Sequence, residues 1–135
     1  MIVDTDILVD HLRGVSAARS WLADLAYPRR TIALITHMEL LEGCQTRAER
    51  NELRRFLGSQ FSVTYGLSHA VGETALALME RYRPAVALRM ADALIAATCL
   101  ANKEHLVTGN ARHFHRIAGL QVITPAYRAQ RGGTR

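Results

Sequence analysis

Residues 1–10 of the chain read MIVDTDILVD, an apolar run of Ile, Val and Leu that carries three carboxylates. The apolar, β-branched start predicts a buried strand, and Thr5 to about Arg13 follows with the apolar spacing of a helix. The predicted strand therefore ends in Asp4, and Asp6 and Asp10 lie on the helix. Because a buried carboxylate is unfavourable without a donor or a cation beside it, the rest of the sequence has to supply partners for this cluster.

The composition is that of one globular domain. The chain has 135 residues, enough to bury a core, with 49% hydrophobic and 21% charged residues. It contains no apolar run of membrane-spanning length, no secretory signal pattern and no metal or redox spacing at its two cysteines, so we expect a cytoplasmic protein without a disulfide. We expect a single domain over residues 1–127 and a poorly ordered basic tail over residues 128–135.

The basic residues are almost all arginine. The net charge is +5, Lys103 is the only lysine, and no acid follows Glu104. Arginine binds phosphate through a planar fork, so this surface is compatible with nucleic acid, but it is equally compatible with a solubilising surface. The arginines beyond Glu104 are Arg112, Arg116, Arg128, Arg131 and Arg135.

Short apolar runs alternate with longer amphipathic segments along the chain. The predicted strands are residues 2–4, 31–36, 61–65, 105–108 and 121–124, and the predicted helices are residues 5–13, 16–25, 37–43, 48–57, 68–83, 90–101 and 113–117. Strands separated by helices form right-handed crossovers, so the pattern predicts a three-layer α/β/α sandwich around a parallel sheet of about five strands. Ligands of such sheets bind beyond the carboxyl ends of the strands.

Acidic and polar residues follow several predicted strands. Asp4 follows the first strand, Glu39 lies shortly after the second, and Thr108 to Asn110 follow the fourth. Asp92 is the only charged residue between Arg89 and Lys103, on an otherwise apolar helix. Carboxylates that converge at one edge repel each other unless a cation lies among them, and oxygen ligands select Mg²⁺ or Mn²⁺. Such a site suits phosphodiester hydrolysis, in which the metal activates a water.

Each acid alone also has a structural explanation. Asp6 at the start of a helix is favourable to the helix dipole, and we prefer that role to metal binding. Thr36-x-x-Glu39 has the spacing of a capping box, as does Thr46-x-x-Glu49. Asp92 could lie at the solvent edge of its helix. The convergence of three acids at one sheet edge favours the metal site over these separate explanations.

Four segments together resemble a known family. MIVDTDILVDHL, THMELLEG, ADALIAATCLA and LVTGNARHF, in this order over essentially the whole chain, resemble the PIN-domain ribonucleases and most closely the VapC toxins of toxin–antitoxin pairs. The resemblance implies a parallel sheet, an acidic Mg²⁺ or Mn²⁺ site and endonucleolytic cleavage of RNA. It also implies a homodimer and inhibition by a small VapB-type antitoxin.

The resemblance assigns roles by position. Asp4 and Asp92 match the metal-binding aspartates, Glu39 matches the acid on the helix after the second strand, and all three are the expected catalytic residues. Thr5 and Thr108 match small hydroxyl residues near the site.

One position departs from the family pattern T-x-N-x-x-D-F. The segment here reads Thr108-Gly-Asn110-Ala-Arg-His113-Phe114, so a histidine replaces the further acid, while Asn110 still offers a carbonyl oxygen as a weaker ligand. We therefore expect one metal held mainly by Asp4 and Asp92, with any second ion weak and arriving with the RNA phosphate. The alternative is that His113 caps a short helix and points away from the site.

Three functions are compatible with this sequence. The leading one is a metal-dependent RNA endonuclease that acts as a toxin. The second is a PIN-type nuclease of RNA processing without an antitoxin, and the third is a non-catalytic RNA- or protein-binding module. The presence of Asp4, Glu39 and Asp92 argues against the third.

Overall fold

Five short parallel strands form the central sheet of the computed structural model, which describes residues 1–83 and 85–130. The strands are β1 (Ile2–Val3), β2 (Thr31–Ala33), β3 (Val63–Tyr65), β4 (Leu106–Val107) and β5 (Val122–Ile123). Their spatial order is β3-β2-β1-β4-β5, and β1 lies in the middle, with Ile2 paired to Thr31 on one side and Leu106 on the other. The predicted parallel sheet is confirmed.

Helices connect the strands and cover both faces of the sheet. They are α1 (Thr5–Leu12), α2 (Ser16–Asp24), α3 (Leu34–Glu42), α4 (Arg47–Gln60), α5 (His69–Tyr82), α6 (Met90–Asn102) and α7 (Ala126–Ala129). Two 3₁₀ turns, Tyr27–Arg29 and Ala111–His113, complete the regular structure of the described residues. Gly14 follows α1 with a φ of +84°, a left-handed conformation that glycine adopts without strain and that ends the helix.

The two faces of the sheet bury separate hydrophobic clusters. Successive strand residues point to opposite faces, so fully buried Ile2 packs with α5 and α6, and fully buried Val3 packs with α1, α2 and α4. This two-sided burial explains why the strands are apolar without alternation. The three-layer α/β/α sandwich is therefore confirmed.

Several predicted boundaries are wrong. The strand predicted over residues 31–36 ends at Ala33, and α3 begins at Leu34, because an apolar run that is buried as strand or as helix does not reveal where one becomes the other. Helix α4 does not end at Gly58 but continues to Gln60, since the burial of Leu53 and Leu57 outweighs the weak helix propensity of one glycine.

The C-terminal segment also differs from expectation. The helix predicted over 113–117 is only the 3₁₀ turn Ala111–His113, and the short helix α7 was not predicted. Arg128, in the predicted tail, lies in α7, whereas residues 131–135 lie outside the described residues, so the division at 127 stays a prediction. None of the described helices combines the length and the hydropathy needed to cross a bilayer.

Candidate active site

Asp4 lies at the centre of the sheet edge, where β1 ends and α1 begins. It is 5% exposed and is the N-cap residue of α1. One carboxylate oxygen, Oδ1, accepts a hydrogen bond from the Thr5 amide at 2.7 Å, and the other, Oδ2, accepts one from the Thr108 hydroxyl at 2.6 Å. The two bonds fix the plane of this buried carboxylate.

Thr108 reaches Asp4 because β4 lies beside β1. The Asn110 amide donates to Oγ1 of Thr108 at 3.0 Å, so the single hydroxyl proton of Thr108 is directed to Asp4. Thr108 is fully buried behind the carboxylate, and Asn110 lies at the surface of the same pocket. Thr108 and Asn110, which follow the fourth strand as predicted, therefore lie beside Asp4 and at the pocket surface, respectively.

Glu39 approaches the site from α3. Its Oε1 accepts a hydrogen bond from the Thr5 hydroxyl at 2.7 Å, and the Thr36 hydroxyl lies 3.1 Å from that of Thr5. Glu39 does not take part in a capping box, because the N-cap of α3 is Ala33 and Glu39 lies in the middle of the helix.

The second capping-box pair behaves differently. Glu49 accepts from the Gln45 amide at 2.7 Å, and Thr46 accepts from the Glu49 amide at 3.1 Å, so these residues do cap α4. The same T-x-x-E spacing therefore gives a helix cap at one place and a site residue at the other.

Asp92 lies in the first turn of α6, where its side chain is 19% exposed. Its Oδ2 accepts a hydrogen bond from the Arg89 amide at 3.2 Å, and Nδ1 of His113 lies 3.7 Å from the same oxygen. His113 is therefore beside Asp92 rather than pointing away from it. The other carboxylate oxygen of Asp92 is free of these contacts.

These side chains share one acidic pocket of about 490 Å³ at the carboxyl edge of the sheet. Five carboxylates and two arginines line it. The lining residues are Asp4, Thr5, Asp6, Val9, Asp10, Arg13, Glu39, Asp92, Asn110 and Arg128. The structure thus brings Asp4, Glu39 and Asp92 together, as the sequence predicted.

Burial raises the pKa of Asp4 to about 7, and the nearby charge of Asp6 adds to the effect. The hydrogen bonds from Thr108 and Thr5 act in the opposite direction, and the charge of Asp92 raises the pKa further. A carboxylate whose ionisation is opposed by its surroundings gains most from a neighbouring cation. The electrostatics of the pocket therefore favour a metal ion next to Asp4.

The donor set fits Mg²⁺ or Mn²⁺ bound through few protein ligands. Among the described residues, no three His, Cys, Asp or Glu side chains converge closely enough to hold an ion by themselves. Mg²⁺ keeps several waters and is usually bound by one or two carboxylates together with substrate phosphate, so Asp4 and Asp92 match that requirement.

The sequence did not reveal a cluster on the other side of the pocket. Oδ2 of Asp6 accepts from the Gly109 amide at 2.9 Å and from the guanidinium of Arg128 at 2.8 Å, so its role goes beyond the predicted helix-dipole effect. Arg128 also contacts Asp10. The available signal was the spacing of Asp6 and Asp10, which places both acids on one helix face and calls for a shared cation.

The fold and the site together define an α/β protein with an acidic pocket at the carboxyl edge of a parallel sheet. The PIN domain family model matches residues 1–120, and the chain belongs to this family. This confirms the resemblance seen in the sequence.

Individual relatives are of the VapC type. The chain is 38% identical to "Ribonuclease VapC10" of Mycobacterium tuberculosis over 116 residues, which is 84% of this chain and 85% of that protein. It is 34% identical to "Ribonuclease VapC19" of the same species over 124 residues, covering 89% and 96% of the two chains. A solved "Toxin-antitoxin complex from Klebsiella pneumoniae" superposes with a TM-score of 0.75 at 32% identity, covering 92% of this chain and 96% of that one.

Proposed function

We propose that this protein is a divalent-metal-dependent RNA endonuclease and the toxin of a type II toxin–antitoxin pair. The observation that carries the proposal is the convergence of the buried Asp4 with Glu39 and Asp92 in one pocket, where burial and the charges of Asp6 and Asp92 raise the pKa of Asp4 and so favour a neighbouring cation. The relatives named VapC ribonuclease and the toxin–antitoxin complex of similar fold support RNA as the substrate and an antitoxin as the partner.

In this proposal Asp4 and Asp92 hold Mg²⁺, for which Mn²⁺ can substitute. When bound, the ion would supply activation of a water and screening of the negative charge that develops on the phosphate. Thr108 and the Thr5 amide keep the Asp4 carboxylate in a fixed orientation. Glu39, held by the Thr5 hydroxyl, faces the same pocket and is positioned to orient the water or accept its proton.

A groove next to the acidic pocket supports the antitoxin over an RNA-processing role without a partner. It has a volume of about 640 Å³, and Thr5, Val9, Arg13 and Glu39 line both cavities. Its apolar wall includes Leu12, which is 46% exposed, and Phe56, on which the His11 ring stacks at 4.8 Å. An antitoxin segment could place apolar side chains in this groove and an arginine on the carboxylates. The homodimer that the family resemblance implies stays a prediction.

The proposed activity predicts metal-dependent RNA cleavage by the purified chain. With Mg²⁺ present, we expect internal cuts in a mixed RNA pool, seen as new fragment ends on a denaturing gel, and none in excess EDTA. Adding Mn²⁺ in excess over EDTA is expected to restore the cuts, since oxygen ligands accept either ion. Cleavage that continues undiminished in EDTA would contradict the mechanism.

His113 sets the number of metal ions in the proposed site. His113→Asp places a carboxylate beside Asp92, so we expect calorimetric titration with Mn²⁺ to show tighter binding by about tenfold or a second ion. His115→Asp, at an exposed position two residues away, is the matched control and is expected to leave the titration unchanged. If His113→Asp also leaves it unchanged, the missing acid does not limit metal binding.

A further inference from the structure

Two carboxylates of α1 are held by one arginine from α7. Nη2 of Arg128 lies 2.8 Å from Oδ2 of Asp6, and Nε of Arg128 lies 3.1 Å from Oδ2 of Asp10. The second contact is an ion pair without hydrogen-bond geometry, because the Nε–H group does not point at that oxygen. The side chains of Asp6 and Asp10 are only 15% and 12% exposed. A single guanidinium therefore compensates two largely buried charges.

Neighbouring groups hold this arrangement in place. The Tyr127 hydroxyl donates to Oδ2 of Asp10 at 3.0 Å, and the Gly109 amide donates to Oδ2 of Asp6 at 2.9 Å. Gly109 also leaves the space for the guanidinium, since a Cβ at that position would lie 2.5 Å from Nε of Arg128. The ion pair between Arg128 and Asp6 therefore requires glycine at position 109 as well as the charges of the two side chains.

The pair divides the acidic pocket into two parts. Asp6, Asp10 and Arg128 line the same pocket as Asp4 and Asp92, but among the described residues an arginine contacts the acids only on the Asp6 side, whereas Asp92 has His113 beside it. Without Arg128, Asp6 and Asp10 would be two buried, uncompensated carboxylates near the proposed metal ligands. Such a pair either binds a proton or attracts a cation.

We propose that Arg128 is a positioning residue that occupies the Asp6–Asp10 side of the pocket and so restricts divalent-cation binding to the Asp4–Asp92 side. This proposal rests on the proposed metal-dependent nuclease function. Arg128 acts here through Asp6 and Asp10 and is not required to touch the RNA. It belongs to the segment that the sequence predicted to be a disordered basic tail.

The test measures Mn²⁺ binding to the full chain by the electron paramagnetic resonance signal of the free ion, without RNA. Wild type is expected to bind about one ion and Arg128→Gln about two, since the freed carboxylates offer oxygen ligands. Arg128→Lys keeps the charge and is expected to stay near the wild-type value. The double variant Arg128→Gln, Asp6→Asn lacks the freed carboxylate and is expected to return to the wild-type number of bound ions.

Two further variants make the test specific. Gly109→Ala is expected to separate Arg128 from Asp6, because its Cβ would lie 2.5 Å from Nε of Arg128 and 2.7 Å from Oδ2 of Asp6. It is expected to gain an ion as Arg128→Gln does, and it remains informative if Arg128→Gln fails to fold. Arg116→Gln removes an exposed arginine elsewhere and is expected to change nothing. With RNA present, Arg128→Gln is expected to cleave more slowly at limiting Mn²⁺, because the added binding site at Asp6 and Asp10 competes for the ion.

The outcomes separate the positioning role from other roles and from the proposed function. Unchanged Mn²⁺ binding by folded Arg128→Gln and Gly109→Ala would overturn the proposal, and a raised KM for RNA in that case would identify Arg128 as a phosphate ligand instead. If wild type binds Mn²⁺ but cleaves no RNA, the proposed nuclease function is overturned. The number of bound Mn²⁺ ions in wild type and variants would still test the positioning role of Arg128. No Mn²⁺ binding by wild type or any variant would overturn both.

Discussion

Asp92→Asn is expected to reduce RNA cleavage by about 10³-fold, because loss of the metal removes several kcal/mol of transition-state stabilisation at about 1.4 kcal/mol per factor of ten. Asp4→Asn is expected to have an effect of the same size, since the structure gives Asp4 the central, most buried position in the pocket. Glu39→Gln keeps its hydrogen bond to Thr5 but loses the charge, and it is expected to lose most of the activity. Initial rates of cleavage of one RNA under saturating Mg²⁺ measure all three.

Asp24→Asn and Glu80→Gln are the matched controls, because both acids are exposed and lie outside the acidic pocket. They are expected to cleave RNA at the wild-type rate. Full activity in a folded Asp92→Asn protein would contradict the proposed mechanism.

The pH dependence of the melting temperature tests whether the surroundings of Asp4 oppose its ionisation. The same melting curves show whether the Asp4→Asn protein is folded. In the folded chain the pKa of Asp4 is raised from 3.8 to about 7, mainly by burial. The associated stability is present in full below the unfolded pKa and is lost as the pH rises through the folded pKa. In EDTA, Asp4→Asn is therefore expected to melt above wild type at about pH 8 and level with it at about pH 4.

Expression of the wild-type chain alone in a bacterial host is expected to abolish colony formation, because an unrestrained endonuclease cleaves RNA that the cell needs. Asp4→Asn and Asp92→Asn are expected to allow growth at equal protein levels. Co-expression with the small antitoxin gene that we expect next to this one should restore colonies and yield a complex that purifies as one species. Colony counts, with mapping of the new RNA ends before growth stops, measure the effect.

A variant in the apolar groove tests the proposed antitoxin binding separately from the proposed nuclease activity. Leu12→Glu adds a charge to the groove wall on the side away from Asp4, so it is expected to keep toxicity but to weaken rescue by the antitoxin. Harmless expression of the wild-type chain would count against the toxin function while leaving an RNA-processing nuclease possible. Rescue of Leu12→Glu equal to wild type would show that the partner does not use this groove.

Two acids of the candidate site could be predicted from the sequence because each breaks a local pattern. Asp4 ends an apolar run, and Asp92 interrupts a helix that is otherwise apolar. Glu39 was harder to assign, since its spacing from Thr36 matches a helix cap, and only the early start of α3 shows that it is not one.

Features that depend on distant contacts were not predictable in this way. Arg128 contacts Asp6 across 122 residues: the spacing of Asp6 and Asp10 indicates a shared cation, but no local pattern identifies Arg128 as that cation. The end of β2 was missed for a different reason, because the apolar residues after Ala33 are compatible with burial in either conformation. The order of elements and the sheet followed from hydrophobic patterns, whereas boundaries and long-range ion pairs depended on tertiary packing.

The hydrogen bond from Thr108 to Asp4 joins residues 104 positions apart, each of which directly follows one of the paired strands β1 and β4. Bringing such distant segments together is among the slowest requirements of folding. Any opening that separates β1 from β4 also withdraws the hydroxyl that orients Asp4. The proposed nuclease activity therefore requires an intact pairing of β1 with β4, and we expect a partly unfolded molecule to be inactive.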